Sequence, residues 1–383
     1  MVILVGIGLL GVGLAVRGRS NPSPSPSSGP TASPARSGAF ASPSTRSSPE
    51  PSQPAGAASK GSLVAPADLA DRTTAASNGT APYAAARDDL LAFADEALQR
   101  QPRPMTNLDI PGTEGPFVDD TATAYGLALA YATSGDIRYA QAARDYIDAW
   151  VGTTKGLVNA CPDDGGCQTS LIVARVVPGF VFAADLISPS GVFSAADDAA
   201  FRVWLKELIL PDLPTRAGNW GDAGNFSRAA ITDYLDDAEG FAKALDEWRD
   251  RIDAVPADGH LPDEVRRGDD GMSYTQEALQ YKVATARLAE QRGTDLWSYV
   301  GKQGGTLRGA LDLLANYWYR SADWPWDANV RVPSPSPMWE LAYQHWQDPA
   351  WPTIFAADRA FGEDGHSAVR WTTLTNGIPI PVK

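Results

Sequence analysis

Thiols and imidazoles are scarce in this chain of 383 residues, which has two Cys and three His. So few Cys exclude a disulfide-rich scaffold and a multi-Cys zinc or iron–sulfur site. Three scattered His do not build a His-rich metal centre. The Gly-x-Ser-x-Gly elbow, the P-loop, the dinucleotide glycine fingerprint and His-Glu-x-x-His are absent as well. Positive charge is in deficit: 32 Lys and Arg face 46 Asp and Glu, a formal net charge of −14. Without a basic stripe such a chain is a poor nucleic-acid binder. No metal, no cofactor and no nucleic-acid partner are therefore expected. Period-2 alternation is rare, apart from an extended tail at Ile378 to Lys383, so little sheet is expected.

One apolar run stands at the start. Val2 to Val16 carries no charge. Fifteen residues are short for a spanning helix, which needs about 20, and suit a signal h-region. No basic segment precedes the run and no small-x-small site directly follows it; Arg17 and Arg19 lie on its far side. Residues 1–19 read as an export signal or an N-terminal membrane anchor. Ser20 to Lys60 holds nine Pro and thirteen Ser among 41 residues. That composition buries too little apolar surface to offset chain entropy and reads as a disordered, Pro-stiffened linker. An exported protein is expected, secreted or held outside the membrane. Cys161 and Cys167 bracket Pro-Asp-Asp-Gly-Gly and suit a local disulfide in an oxidising compartment. Residues 1–60 carry five basic side chains and the single acid Glu50, a net +4. The −14 of the whole chain thus leaves −18 on residues 61–383.

From about Ala81 the apolar spacing becomes helical. Tyr83–Arg100, Thr121–Thr133 and Ile137–Trp150 each place large apolar side chains on one face, and Gly135-Asp136 ends one helix and caps the next. Further pairs follow: Leu171–Leu186 with Ala195–Leu210, Asn219–Leu235 with Ala238–Val255, and Gly271–Arg292 with Leu307–Tyr319. Shorter helices are expected at Met338–Trp346 and Thr353–Ala360. Repeated two-helix units joined by long loops predict an all-α fold, an (α/α) toroid or incomplete barrel of helical hairpins over residues 61–383. With 44% hydrophobic residues, the chain can fill one large core.

Trp318, Trp324, Trp326, Trp339, Trp346 and Trp351 fall within 34 residues, several beside Pro or Asp. Flat indoles stack on sugar C–H faces, so the cluster reads as a carbohydrate groove. Paired carboxylates are too frequent to discriminate. Two segments stand out instead. Arg216-Ala-Gly-Asn-Trp-Gly-Asp-Ala-Gly-Asn225 is a Gly-broken loop opening a helix, where backbone amides favour a carboxylate. Asp258-Gly-His-Leu-Pro-Asp-Glu-Val-Arg-Arg-Gly-Asp-Asp-Gly-Met-Ser-Tyr274 sets Tyr274 seven residues after Arg267. If the two converge, the guanidinium both pairs a substrate carboxylate and favours phenolate.

Thr121 to Trp150 resembles an early hairpin of the alginate lyase superfamily. Asp258-Gly-His-Leu-Pro-Asp-Glu-Val-Arg-Arg followed by Met-Ser-Tyr is similar to that family's Asp-Gly-x-Leu-Pro-x-Glu-x-x-Arg…Tyr block. Asn219 falls where the family carries its Asn, and Met338-Trp-Glu-Leu-Ala-Tyr-Gln-His345 resembles its Trp-Glu-x-x-Tyr tail. The likeness runs from about Ile110 to Ala350. It implies eliminative cleavage of a uronic-acid polymer by a polysaccharide lyase on an (α/α) toroid. Carried over by position, Asn219 and Arg267 would neutralise the C5 carboxylate. Tyr274 would protonate the leaving O4, and would also take the C5 proton for some sugar configurations. Alginate-specific members often have His directly after the Asn; here Trp220 stands there. His345 is then the remaining candidate base, or a sugar ligand. Either Tyr274 does both jobs, or the activity differs, or it is lost. Arg175, Arg216, Arg228 and Arg266 are candidate subsite cations, and Trp220, Trp324, Trp326, Trp339 and Tyr343 are candidate sugar contacts.

The expected partner is an acidic polysaccharide, bound by a monomer. Two alternatives stand beside the lyase. One is a glycoside hydrolase on the same toroid using carboxylates such as Asp222 and Asp270. The other is a non-catalytic carbohydrate-binding homologue. A domain at −18 repels a polyanion at long range, so a lyase needs a locally positive groove.

Overall fold

Fifteen helices follow one another in the computed structural model, which describes residues 61–161, 163, 168–359, 362 and 367–381. All of them belong to the unit Pro54–Lys383. The export segment and linker read at residues 1–60 lie outside the described residues, as does Cys167 of the expected disulfide. The helices are α1 Pro66–Ser77, α2 Tyr83–Ala97, α3 Pro116–Ser134, α4 Ile137–Thr153, α5 Gln168–Val176, α6 Pro178–Ile187, α7 Ala195–Trp204, α8 Asn219–Tyr234, α9 Ala238–Asp253, α10 Pro262–Val265, α11 Gly271–Gln291, α12 Leu307–Tyr317, α13 Met338–Trp346, α14 Pro352–Phe355 and α15 Thr372–Thr375.

The α3–α4 hairpin shows how the sequence sets these units. Gly135 takes φ +76° at the end of α3, a conformation that costs glycine nothing. The Asp136 side chain then accepts the Arg138 N–H and caps α4. The outer helix α4 buries one stripe, with Tyr139, Ala143, Tyr146, Ile147 and Trp150 inward. The inner helix α3 is buried nearly all round, and so are α6, α8 and α11. Contacts run from α3 to α6, α8, α11 and α13, then through α15 and α2 back to α3. The outer helices α4, α9 and α12 pack behind α3, α8 and α11. This is the toroid of helical hairpins that the apolar spacing predicts.

Three details depart from the periodic reading. The run 171–186 is interrupted at Val177, because Pro178 has no N–H to continue the ladder. The longer stretch Gln168–Ser190 is apolar enough to cross a membrane, yet 89% of its apolar window is buried inside the protein, so it is a core helix. Helix α7 stops at Trp204 and continues as a π turn over Leu205–Ile209, with Pro211 in the 3-10 turn beyond. Helix α1 precedes the first one foreseen, and a two-residue parallel pair joins β1 Asn107–Leu108 to β2 Gly156–Leu157.

Candidate active site

Helix α8 opens without a side-chain cap of its own. Gly218 precedes it at φ +79°, and the first helical N–H, that of Asn219, is accepted by Glu264 Oε1 at 2.7 Å. A Cβ on Gly218 would lie 2.7 Å from that oxygen, so the close approach requires glycine. The backbone amides that the sequence offered to a substrate carboxylate are therefore partly taken by an internal one. Gly221 and Gly224 have a different task. A Cβ there would meet the carbonyl oxygens of Arg216 at 1.8 Å and Pro214 at 2.0 Å. Loop 214–216 lies directly on the helix backbone.

Asn219 is 1% exposed, and its Nδ2 has no hydrogen-bond partner. A buried donor left unpaired costs about 1–3 kcal/mol, so such an atom asks for a function. Glu264 comes from the short helix α10. Its carbonyl accepts the Arg267 N–H at 3.0 Å. The Arg267 guanidinium carbon sits 3.9 Å from the centroid of the Tyr274 ring, on the first turn of α11. Tyr274 is half-buried and Arg267 exposed. Buried Arg175 of α5 approaches Tyr274 and is paired with Glu277, one turn along α11. Arg175, Ser273, Gln276, Glu277, Gln280 and Tyr281 line a cleft of about 250 Å³ beside this turn.

A second cavity, about 340 Å³, is lined by Gly218, Asp222, Arg251, Glu264 and Lys282. Lys282 donates to Asp222, and Arg251 lies 3.8 Å from Asp222 and 2.6 Å from Glu247. Burial pushes the Lys282 ammonium down, with Asp222 opposing. Burial pushes the Glu264 carboxyl up to about 7; the Asn219 N–H opposes the rise and Asp222 adds to it.

The alginate lyase family model matches residues 25–324, a span containing Asn219, Arg267 and Tyr274. The chain belongs to the alginate lyase family. Solved structures agree on the fold. An alginate lyase from Bacteroides ovatus superposes with a TM-score of 0.67 at 19% identity, covering 83% of this chain and 99% of that one. Alginate lyase A1-III from Sphingomonas species A1 gives 0.63 at 17%, covering 84% and 98%. A variant of A1-III complexed with tetrasaccharide gives 0.65 at 17%, covering 83% and 96%. No match to a curated protein sequence was found. As a member of this family the protein is a polysaccharide lyase.

The remaining residues of this lyase divide sharply. The Arg216 guanidinium packs over the Trp220 ring at 4.8 Å, with Trp220 itself 8% exposed. Among the described residues neither Arg216 nor Arg267 has a carboxylate partner. Arg266 points outward to Asp263, and Arg228 holds Glu247 and the carbonyls of Leu213 and Pro214. His345 is not brought to the cluster. It stacks on Trp297 at 4.5 Å and faces Glu290 at 3.3 Å. Glu290 lies sixteen residues beyond Tyr274 on α11, about 24 Å at 1.5 Å per residue. His260 bonds Asp258 at 2.6 Å and lies 5.2 Å from Trp326. The hydrolase pair is not free either: Asp222 is clamped by Lys282 and Arg251, and Asp270 by Arg331.

The tryptophan groove needs correction. Trp339, Trp324 and Tyr343 are fully or nearly buried, edge-on to Trp318 and Trp351, to Tyr317, and against Phe355 respectively. Their faces are consumed by core packing and leave no surface for a sugar. Trp339 still matters to the cleft, since its Nε1 donates to Gln276 on the wall at 3.2 Å. Only Trp326 of those candidates is half-exposed, against Trp324. Glu264 was the residue that the sequence reading passed over. Leu261, Glu264 and Val265 stand at i, i+3 and i+4, so the acid shares the buried face of two apolar neighbours.

Proposed function

We propose that this lyase cleaves a uronic-acid polymer, alginate or a related polyuronate, by β-elimination outside the cell. The observation that carries the reading is Arg267, without a salt bridge among the described residues of a domain of net charge −18 and stacked on Tyr274. Asn219 is tied to the same place through Glu264. Removing the C5 proton builds negative charge on the C6 carboxylate. Arg267 and the unpaired Asn219 amide neutralise that charge, the largest lever on such a step. Tyr274 takes the proton and returns it to O4 as the C4–O4 bond breaks, leaving a C4–C5 double bond on the new non-reducing sugar. Arg175, paired with Glu277, stands near the Tyr274 ring.

Trp220 leaves no imidazole beside Asn219, so one tyrosine performs both transfers, accepting the C5 proton as phenolate and delivering it to O4 as phenol. That requires the C5 hydrogen and O4 on the same ring face, as in D-manno- and D-gluco-configured uronates. Residues 1–19 serve export or anchoring, and residues 20–60 hold the catalytic domain, 61–383, away from the membrane. The test incubates the full chain with polymannuronate, polyguluronate, glucuronan and polygalacturonate and follows the ultraviolet absorbance of the unsaturated product. Absorbance from polymannuronate or glucuronan is the expected result. Reducing ends without absorbance overturn the elimination, and product from polyguluronate or polygalacturonate alone overturns the single-tyrosine scheme.

A further inference from the structure

Among the described residues, Glu264 is the one hydrogen-bonded to both halves of the carboxylate clamp. Its side chain accepts the Asn219 N–H, and its carbonyl accepts the Arg267 N–H. It is 1% exposed, and its second oxygen, Oε2, has no hydrogen-bond partner. We propose that Glu264 is the positioning residue of the clamp, fixing Asn219 and Arg267 together and, through its own charge, setting how readily the site accepts an anionic sugar. The inference rests on the lyase reading above.

The charge argument follows from what faces this carboxyl. Asp222 of α8, Lys282 of α11, and Asp250 and Arg251 of α9 line the same cavity as this carboxyl, with Asp263 and Arg267 from its own stretch. Asp222 is already matched by Lys282, so that pair contributes little net charge. Glu247 and Asp250 set two negative charges against Arg228 and Arg251. The charge of Glu264 itself then decides the field at the clamp. When Glu264 is neutral, Arg267 presents an uncompensated positive charge to the sugar carboxylate. When it is ionised, the nearby anion cancels that charge and repels the substrate. Burial places this change near neutral pH. The Asn219 N–H keeps an acceptor in both states.

Steady-state kinetics of the full chain, read as unsaturated product from pH 5.5 to 8.5, tests this with Glu264→Ala and Glu264→Gln. Wild-type KM should rise by about tenfold across that range while kcat changes little. The glutamine amide oxygen still accepts the Asn219 N–H and carries no charge. E264Q should therefore turn over within about threefold of wild type, with a low KM that no longer depends on pH. Alanine removes the acceptor, and kcat should fall by about tenfold or more, since small misplacements of clamp groups are costly. An E264A kcat within about twofold of wild type, or an E264Q KM that still rises with pH as the wild type does, overturns the inference alone. Should E264A fail to fold, the E264Q profile decides. A wild-type chain without product on any polymer overturns the lyase reading itself, and this inference with it.

Discussion

Glu264 and Glu340 are both 1% exposed carboxylates in an all-helical core, and burial pushes both carboxyls up. Their surroundings differ. Glu340 on α13 receives Arg359 Nε at 2.7 Å, the Thr372 hydroxyl at 2.9 Å and the Thr373 hydroxyl at 2.7 Å. Every oxygen is occupied, and the group ties α13 to α15. Glu264 receives one backbone N–H, and its other oxygen has none. Arg359 reaches Glu340 as an ion pair, whereas Arg267 turns its guanidinium to Tyr274, hydrogen-bonds Glu264 through the backbone and acts on its carboxyl through charge alone. Full satisfaction marks a joint of the scaffold. Partial satisfaction, beside an arginine without a carboxylate, marks a place kept for something that arrives later.

Tyr274→Phe should give the largest effect, a loss of about 10²–10⁴-fold in kcat with unchanged melting. A parallel loss of stability would place Tyr274 among scaffold groups and break the contrast. Next in size, Glu340→Ala should cost about 3–5 kcal/mol, because it strands the part-buried Arg359 and the Thr372 and Thr373 hydroxyls. Glu264→Ala should cost about 1–3 kcal/mol, the price of one orphaned N–H. Urea denaturation measures both, and equal losses would erase the distinction. The third effect depends on pH. Glu264 titrates near 7 in the fold and at about 4.3 when unfolded. The folded protein therefore holds this proton more tightly. The stability it contributes is complete below the unfolded value and is lost as pH rises through about 7, about 4 kcal/mol in all. Denaturation midpoints should fall between pH 5 and 8, and Glu264→Gln should remove that share of the fall. The smallest effect belongs to His345→Ala at the far end of α11: kcat/KM within about twofold of wild type. A larger loss would mean that the two ends of α11 act together.

The helical hairpins were legible because each outer helix carries one apolar stripe, as α4 and α9 do. The start of α3 at Pro116 and the break at Pro178 were harder to place. Proline both opens and interrupts helices, and periodicity does not distinguish the two uses. Helix α1 was missed because Asp-Arg-Thr-Thr has little apolar contrast. At the site, spacing left the meeting of Arg267 and Tyr274 as a condition; the two meet because the short turn at Gly268–Asp270 folds the chain back by one helix start. The tryptophans misled for a definite reason. Pro and Asp beside an indole suggest a surface loop, but Trp324 lies in a segment that packs inward beside Gly271. Glu264 was hidden because an acid beside Asp263 looks solvated until its apolar neighbours at 261 and 265 are counted on the same face.

The contact of loop 214–216 with Gly221 and Gly224 carries one more consequence. Backbone lies on backbone there, and Arg251 fastens the same seam by donating to the carbonyls of Thr215 and Arg216. Such a joint transmits displacement without slack. A displacement of the loop, as from a crosslink placed at Thr215, is delivered to the start of α8 and so to Asn219. The stiffness of that seam is built from two missing methyl groups.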